Sequence, residues 1–308
     1  MTRKFLIDTD TASDDAVALV MALQEPTVTV EAVTVVAGNV PLDQAVQNAL
    51  YTVELCGSEV PVYAGRHAPL MRDLQTAEDV HGKDGMGNIG LPLSGRDPAG
   101  TGAVDVIIET IIGSPGEITL VTLGPLTNVA IALLREPGIA DAVEHCYVMG
   151  GAGSGPGNVT QLAEFNFWAD PEAARLVMRS GMPLTQVGWD ISVASATFDA
   201  AAAAELRACG PLGEFSVDIQ AVLDTFAREV SGVAGFDLAD PMAMAVAIDP
   251  SIATSERLHV AVLIGDDIGR GKDVIDWHGV TGLAPNVNVV THVPRKAFVE
   301  MLHRLVAE

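Results

Sequence analysis

The chain has 308 residues, 49% of them hydrophobic, and 40 acidic against 17 basic side chains give it a formal net charge of −23. Such a hydrophobic fraction excludes a disordered or fibrous chain and supplies a large core. The charge excludes DNA or RNA as a partner, because a polyanion is repelled and counterion release requires Lys and Arg.

Strand-like and helix-like segments alternate from the start. Phe5-Leu6-Ile7 reads as a short buried strand, Asp14 to Leu23 as a helix with acidic residues in its first turn, Thr27 to Val36 as a β-branched strand and Leu42 to Leu55 as a helix. The alternation returns with Ile118 to Thr122, Leu126 to Leu134, Cys146 to Met149, Pro171 to Arg179 and Leu184 to Val187. Residues 200–230 are mainly helical, two or three strands are expected between Leu258 and Val290, and the segment from Pro294 to Val306 reads as a helix. Strands that are continuous apolar runs between helices predict an α/β fold, with a mostly parallel central sheet covered on both faces. Without a long linker, a low-complexity tract or a repeat, residues 1–308 are expected to form one domain.

No run reads as a membrane span; Val104 to Ile112, for example, is interrupted by Asp105 and Glu109. Met1-Thr2-Arg3-Lys4 leads into the first strand without a signal-peptide pattern, and Cys56, Cys146 and Cys209 are odd in number and widely spaced. These features predict a cytoplasmic protein without a disulfide framework or a zinc site.

The chemistry gathers after strands. Asp8-Thr9-Asp10-Thr11-Ala12-Ser13-Asp14-Asp15 puts four carboxylates into eight residues at a strand-to-helix turn. Such a group needs a cation, protonation or wide solvation, and an all-oxygen set suits calcium or magnesium. Helix-dipole complementation explains one of these acids but not the group. Gly38-Asn39, Gly124-Pro125-Leu126-Thr127-Asn128 and Met149-Gly150-Gly151 follow further strands. In parallel sheets ligands bind beyond those carboxyl ends.

These blocks, taken in order with His81-Gly82, Leu123, Gly157-Asn158, Glu164-Phe165-Asn166, Ala169-Asp170-Pro171-Glu172-Ala173 and Asp240-Pro241, resemble the inosine-uridine-preferring nucleoside hydrolase family over almost the whole chain. The resemblance implies a calcium-dependent ribonucleoside hydrolase with a Rossmann-like core. It implies that Asp10, Asp15, Asp240 and the carbonyl of Leu123 hold calcium, with Asp10 also the general base for the attacking water. It further implies that Asp14, Asn39, Asn158, Glu164 and Asn166 bind the ribose hydroxyls, with Met149 beneath the sugar. The expected partners are a ribonucleoside substrate and copies of the chain itself, as a homodimer or homotetramer.

The chain also departs from the family pattern. Many members carry a histidine before the metal-binding Asp-Pro, and here that position is Ala239, which cannot protonate a leaving base. His81 is the replacement candidate, and Trp189 is a candidate to stack on the base. Thr11-Ala12 stands where Pro-Gly is common, and alanine tolerates positive φ less readily than glycine. The missing histidine motivates one alternative, a nucleoside-binding protein without catalysis. A phosphatase of the haloacid-dehalogenase type is a second, because Asp8-Thr9-Asp10-Thr11 follows a strand, but it leaves Asn39, Glu164 and Asp240 unexplained.

The acid excess itself points to a salty surrounding, in which screening removes self-repulsion. Thermal unfolding followed from low to molar salt is expected to show rising stability; a midpoint indifferent to salt would reject the idea.

Overall fold

β1 (Arg3–Thr9) is the strand on which the molecule is organised, and its last five residues are buried. The computed structural model describes residues 2–231 and 235–307. The remaining strands are β2 (Val28–Val35), β3 (Val62–Ala64), β4 (Ile118–Thr122), β5 (His145–Met149), β6 (Leu184–Val187), β7 (Thr197–Phe198), β8 (Phe236–Asp237), β9 (Thr254–Leu258), β10 (Val260–Val262), β11 (Asp273–Ile275) and β12 (Val287–His292). An eight-stranded sheet runs in the order β3-β2-β1-β4-β5-β6-β12-β9. Its neighbours are parallel except for the edge pair β12–β9, which is antiparallel. The pairs β10–β11 and β7–β8 are small antiparallel ribbons.

The expected α/β architecture is therefore present. Two apolar clusters cover the opposite faces of the sheet, and alternation along β1 assigns Phe5 and Ile7 to one and Leu6 to the other. Between Leu258 and Val290 the chain forms β10 and β11 and begins β12, within the two or three strands expected there, but β10 and β11 pair as a separate ribbon outside the main sheet. The helix Ala239–Ile248 has no amphipathic stripe: residues Ala239 to Ala247 are all buried. It packs against the helix Ser13–Gln24, itself buried from Ser13 to Ala22. A helix apolar on every side belongs inside a layered fold rather than on its surface. Among the described residues no helix is long and apolar enough to cross a membrane.

The strand order reverses direction on the two sides of the β1–β4 pair, which creates a crevice at their carboxyl ends. Asn128 ties that crevice together. Its Nδ2 donates to Asp8 Oδ1 (2.8 Å) and to the Val35 carbonyl (3.1 Å), and its Oδ1 accepts from the Arg66 amide (2.9 Å). Asn128→Ala strands several buried polar groups at once and is expected to cost about 2–4 kcal/mol in urea unfolding.

Candidate active site

The chain leaves β1 at Thr9 and enters the helix Ser13–Gln24 through a tight turn. Ala12 has φ −108° and ψ −157°, ordinary extended geometry, so replacing glycine by alanine imposes no strain there. Asp15 closes the turn: its Oδ2 accepts from the Ala12 amide (2.9 Å) and its Oδ1 from the Thr9 hydroxyl (2.6 Å). Asp8 is buried and bound through Oδ1 to Thr34 Oγ1 (2.6 Å) and Asn128 Nδ2, so it braces the sheet.

Ligand oxygens of Asp14, Asp15 and Asp240 lie within 4.8 Å of one another. Asp14 and Asp15 come from the first turn of one buried helix and Asp240 from the first turn of the other, so the packing of the two helices assembles the group. Both helix starts favour negative charge. Asp10 flanks the three on the β1 side. Its Oδ2 accepts from the Asn39 amide (2.6 Å), and its carboxylate is hemmed in by two glycines. A Cβ on Gly38 would stand 2.1 Å from Asp10 Oδ2, and one on Gly124 would stand 2.6 Å from Oδ1. Glycine is required at both positions by this close approach.

Burial and mutual repulsion raise every acid in the group. Asp10 is lifted well above the usual carboxylate range by desolvation, then by the charge of Asp15; Asp240 is lifted likewise by desolvation and by Asp15, Asp14 and Asp10. Asp14 is pushed up to about 6 and Asp8 to about 7, in both cases mainly by burial. Asp10 Oδ1, Asp14 Oδ1 and Asp240 Oδ1 are buried and without a hydrogen-bond partner among the described residues. Unpartnered carboxylate oxygens beside one another fit a hard divalent cation.

Above this floor opens a cavity of about 430 Å³. Asp14, Asn39, His81, Leu123, Met149, Asn158, Glu164, Asn166, Trp189 and Asp240 all line it, although they come from distant parts of the chain. Asp10 and Asp15 do not reach its wall and are fully buried beneath it. A surface groove of about 460 Å³ beside Leu133, Arg175 and Arg179 contains none of the predicted residues.

The walls are held by backbone contacts. Glu164 precedes the helix Phe165–Ala169 and accepts from the Asn166 amide (2.7 Å) through Oε1 and from the Gly151 amide (2.8 Å) through Oε2. It is pushed up to about 7 by burial. Asn166 Nδ2 donates to the Leu123 carbonyl (2.6 Å) and lies 3.2 Å from Met149 Sδ. Asn158 sits at the rim, where Oδ1 accepts from the Phe165 amide (2.9 Å). Asp273 accepts from the amides of Ala152 and Gly153, each at 3.0 Å, and so secures the loop after β5.

His81 ends the short helix Glu78–His81 and is buried, with Nδ1 2.9 Å from Ser13 Oγ and 3.8 Å from Asp14 Oδ1. Burial lowers its proton affinity. Trp189 packs against the core with one part and lines the cavity with another. Ala239 also lines the cavity, and its methyl group offers no proton. Sequence reasoning missed Asp237, Trp168 and Phe226 in the wall. Asp237 alone carried a signal, an acid three residues before Asp240; the others are apolar and indistinguishable from core residues.

The inosine-uridine preferring nucleoside hydrolase family model matches residues 5–300. The pyrimidine-specific ribonucleoside hydrolase RihB of Escherichia coli (strain SE11) is 38% identical over 288 residues, covering 93% of this chain and 91% of RihB. Among solved structures, the plant nucleoside hydrolase PpNRh1 matches with a TM-score of 0.91 at 34% identity, covering 100% of this chain and 99% of the plant chain. A purine-preferring ribonucleoside hydrolase from Gardnerella vaginalis matches with a TM-score of 0.90 at 29% identity, covering 99% of each chain. The chain belongs to the inosine-uridine preferring nucleoside hydrolase family.

The raised acids set the pH response of the cation-free protein. Asp8 rises from 3.8 to about 7 and Glu164 from 4.5 to about 7, so the folded state holds these protons longer than the unfolded chain. Their contribution to stability is complete below about pH 4 and is lost as the pH rises towards 7. Unfolding midpoints measured in chelator are expected to fall across that window.

Proposed function

We propose that this chain hydrolyses the N-glycosidic bond of ribonucleosides, yielding ribose and a free base, with calcium at the aspartate cluster. One observation carries this reading: unpartnered oxygens of Asp14 and Asp240 converge on the wall of a cavity that also gathers Asn39, Asn158, Glu164 and Asn166. Asp10, Asp15, Asp240 and the Leu123 carbonyl would hold the cation, and the closeness of Asp14 to Asp15 and Asp240 supports adding it to that set. When bound, calcium would neutralise the cluster and lower the pKa of the attacking water.

The chain's own groups account for the rest. Asp10 receives the proton of the water that attacks the anomeric carbon; the carbon–nitrogen bond breaks, and its electron pair leaves with the base. Asp14, Asn39, Asn158, Glu164 and Asn166 match the donor and acceptor pattern of the ribose hydroxyls, and Met149 forms an apolar floor for the sugar. Acceptor lone pairs remain on Glu164 beyond those its backbone partners use. Buried acids held by backbone amides need no reorganisation when positive charge develops on the ribose, which lowers the barrier to an oxocarbenium-like state.

The departing base requires a proton, and Ala239 supplies none. His81 lines the same cavity, with Ser13 to orient its ring, and is our candidate for that step. Trp189 offers a flat surface for the base. The 38% identity to a pyrimidine-specific relative, against 29% to a purine-preferring one, supports uridine as the first substrate to assay. Ala239 also motivates a second reading, a nucleoside-binding protein without turnover, for which calorimetry would show heat of binding but no ribose.

In phosphate-free buffer, ribose release from uridine is expected with calcium and not with chelator; strict dependence on phosphate would reject hydrolysis. Asp10→Asn is expected to lower kcat by about a hundredfold to ten-thousandfold, the range for loss of a general base. Asp240→Asn is expected to raise the calcium concentration needed for half-maximal activity.

A further inference from the structure

Phe236 and Asp237 are consecutive residues of β8, and neighbours on a strand point in opposite directions. Phe236 points into the core, where its ring stacks on Phe198 of β7 with centroids 5.8 Å apart and planes 7° from parallel. The register Phe198↔Phe236 and Thr197↔Asp237 secures the ribbon, and Arg295 lies over the Phe198 ring at 5.1 Å from its centroid. Anchoring Phe236 on one side turns Asp237 to the other, into the cavity wall beside Trp189 and Ala239.

Trp189 begins the helix that follows β6, and its Nε1 donates to Asp237 Oδ2 at 2.8 Å. Among the described residues no other side chain hydrogen-bonds to Asp237. Asp237 also stands apart from the tight group of Asp14, Asp15 and Asp240. An ionised carboxylate only accepts hydrogen bonds, and one indole N–H leaves most of its lone pairs unused. Beside it lies a flat aromatic surface. A planar heterocycle with an N–H on its edge satisfies both groups; the ribose hydroxyls already have Asp14, Asn39 and Asn158.

We propose that Asp237, oriented by Trp189, is a specificity-determining residue of the base subsite and selects heterocycles that present an N–H donor, such as the imide of uracil. The inference deepens the hydrolase reading and rests on it for the direction in which the base lies. The physical cause of selection is the half-buried carboxylate itself. A base without the donor covers the carboxylate oxygen that Trp189 does not reach and gives it no partner, and sites that hydrogen-bond a substrate group reject analogues lacking that group strongly. Burial already raises the proton affinity of Asp237, while Trp189 and His81 lower it.

Uridine and 3-methyluridine differ by a single N–H replaced by N–CH₃, and the pair is compared by ribose release and by calorimetric binding. The wild-type chain is expected to prefer uridine by roughly tenfold to a hundredfold, the range for a hydrogen bond to a charged group. Asp237→Asn keeps the size of the side chain and an oxygen for Trp189 but can present an amide donor; it is expected to abolish the preference, mainly through the KM for uridine. Trp189→Phe keeps an aromatic face, releases the carboxylate and is expected to reduce the preference in part. A wild-type chain without preference, binding of neither nucleoside, or an Asp237→Asn variant that keeps the preference would each overturn the proposal. Binding preference without ribose release from any nucleoside would defeat the hydrolase reading while supporting the role of Asp237 in recognition.

Discussion

Mutual repulsion among buried carboxylates is the constraint around which the rest of the structure is arranged. Asp10, Asp14, Asp15 and Asp240 are each raised by desolvation and by one or more neighbouring acids. Holding such a group together without a partner is unfavourable, so the fold supplies backbone amides, two helix starts and two glycines that allow close approach. What these leave unsatisfied, the three bare oxygens, is the part that matches a divalent cation.

The same economy governs the walls. Glu164, Asp273 and Asp170 each accept from backbone amides, and each fastens a loop or helix start near the site. Lys272 lies 3.2 Å from Asp273. Acids are thus used in two ways, as fasteners that hold loops and helix starts through N–H donors and as a floor on which three oxygens have no hydrogen-bond partner among the described residues. The environment of each carboxylate, rather than its residue type, assigns its part.

Much of the site was legible in the residues. Asp8 to Asp15, Gly38-Asn39, Glu164-Phe165-Asn166 and Asp240-Pro241 are polar or glycine-rich blocks set against apolar strands, and every residue predicted for the ribose lines the cavity. Trp168 and Phe226 gave no such contrast, since an aromatic residue reads the same in a core and in a pocket wall. The helix Ala239–Ile248 was hidden for a related reason: burial on all sides removes the 3.6-residue period by which helices are recognised. β7 and β8, two residues each, are too short to show a period of two.

From the sequence alone, the alternation of apolar strands with helices determined the parallel α/β layers, because local periodicity and burial on both faces are properties of each segment. The four N-terminal acids were likewise determined there, and so was the missing histidine at position 239. Only the tertiary structure decided which acids meet. It brought Asp240 to Asp14 and Asp15 across more than 200 residues by packing two buried helices, and it sank Asp10 beneath the cavity between Gly38 and Gly124. It also turned Asp237 toward Trp189 by anchoring Phe236 on Phe198. Distances between remote side chains depend on how helices and strands pack, and packing is set by the whole core rather than by any one segment.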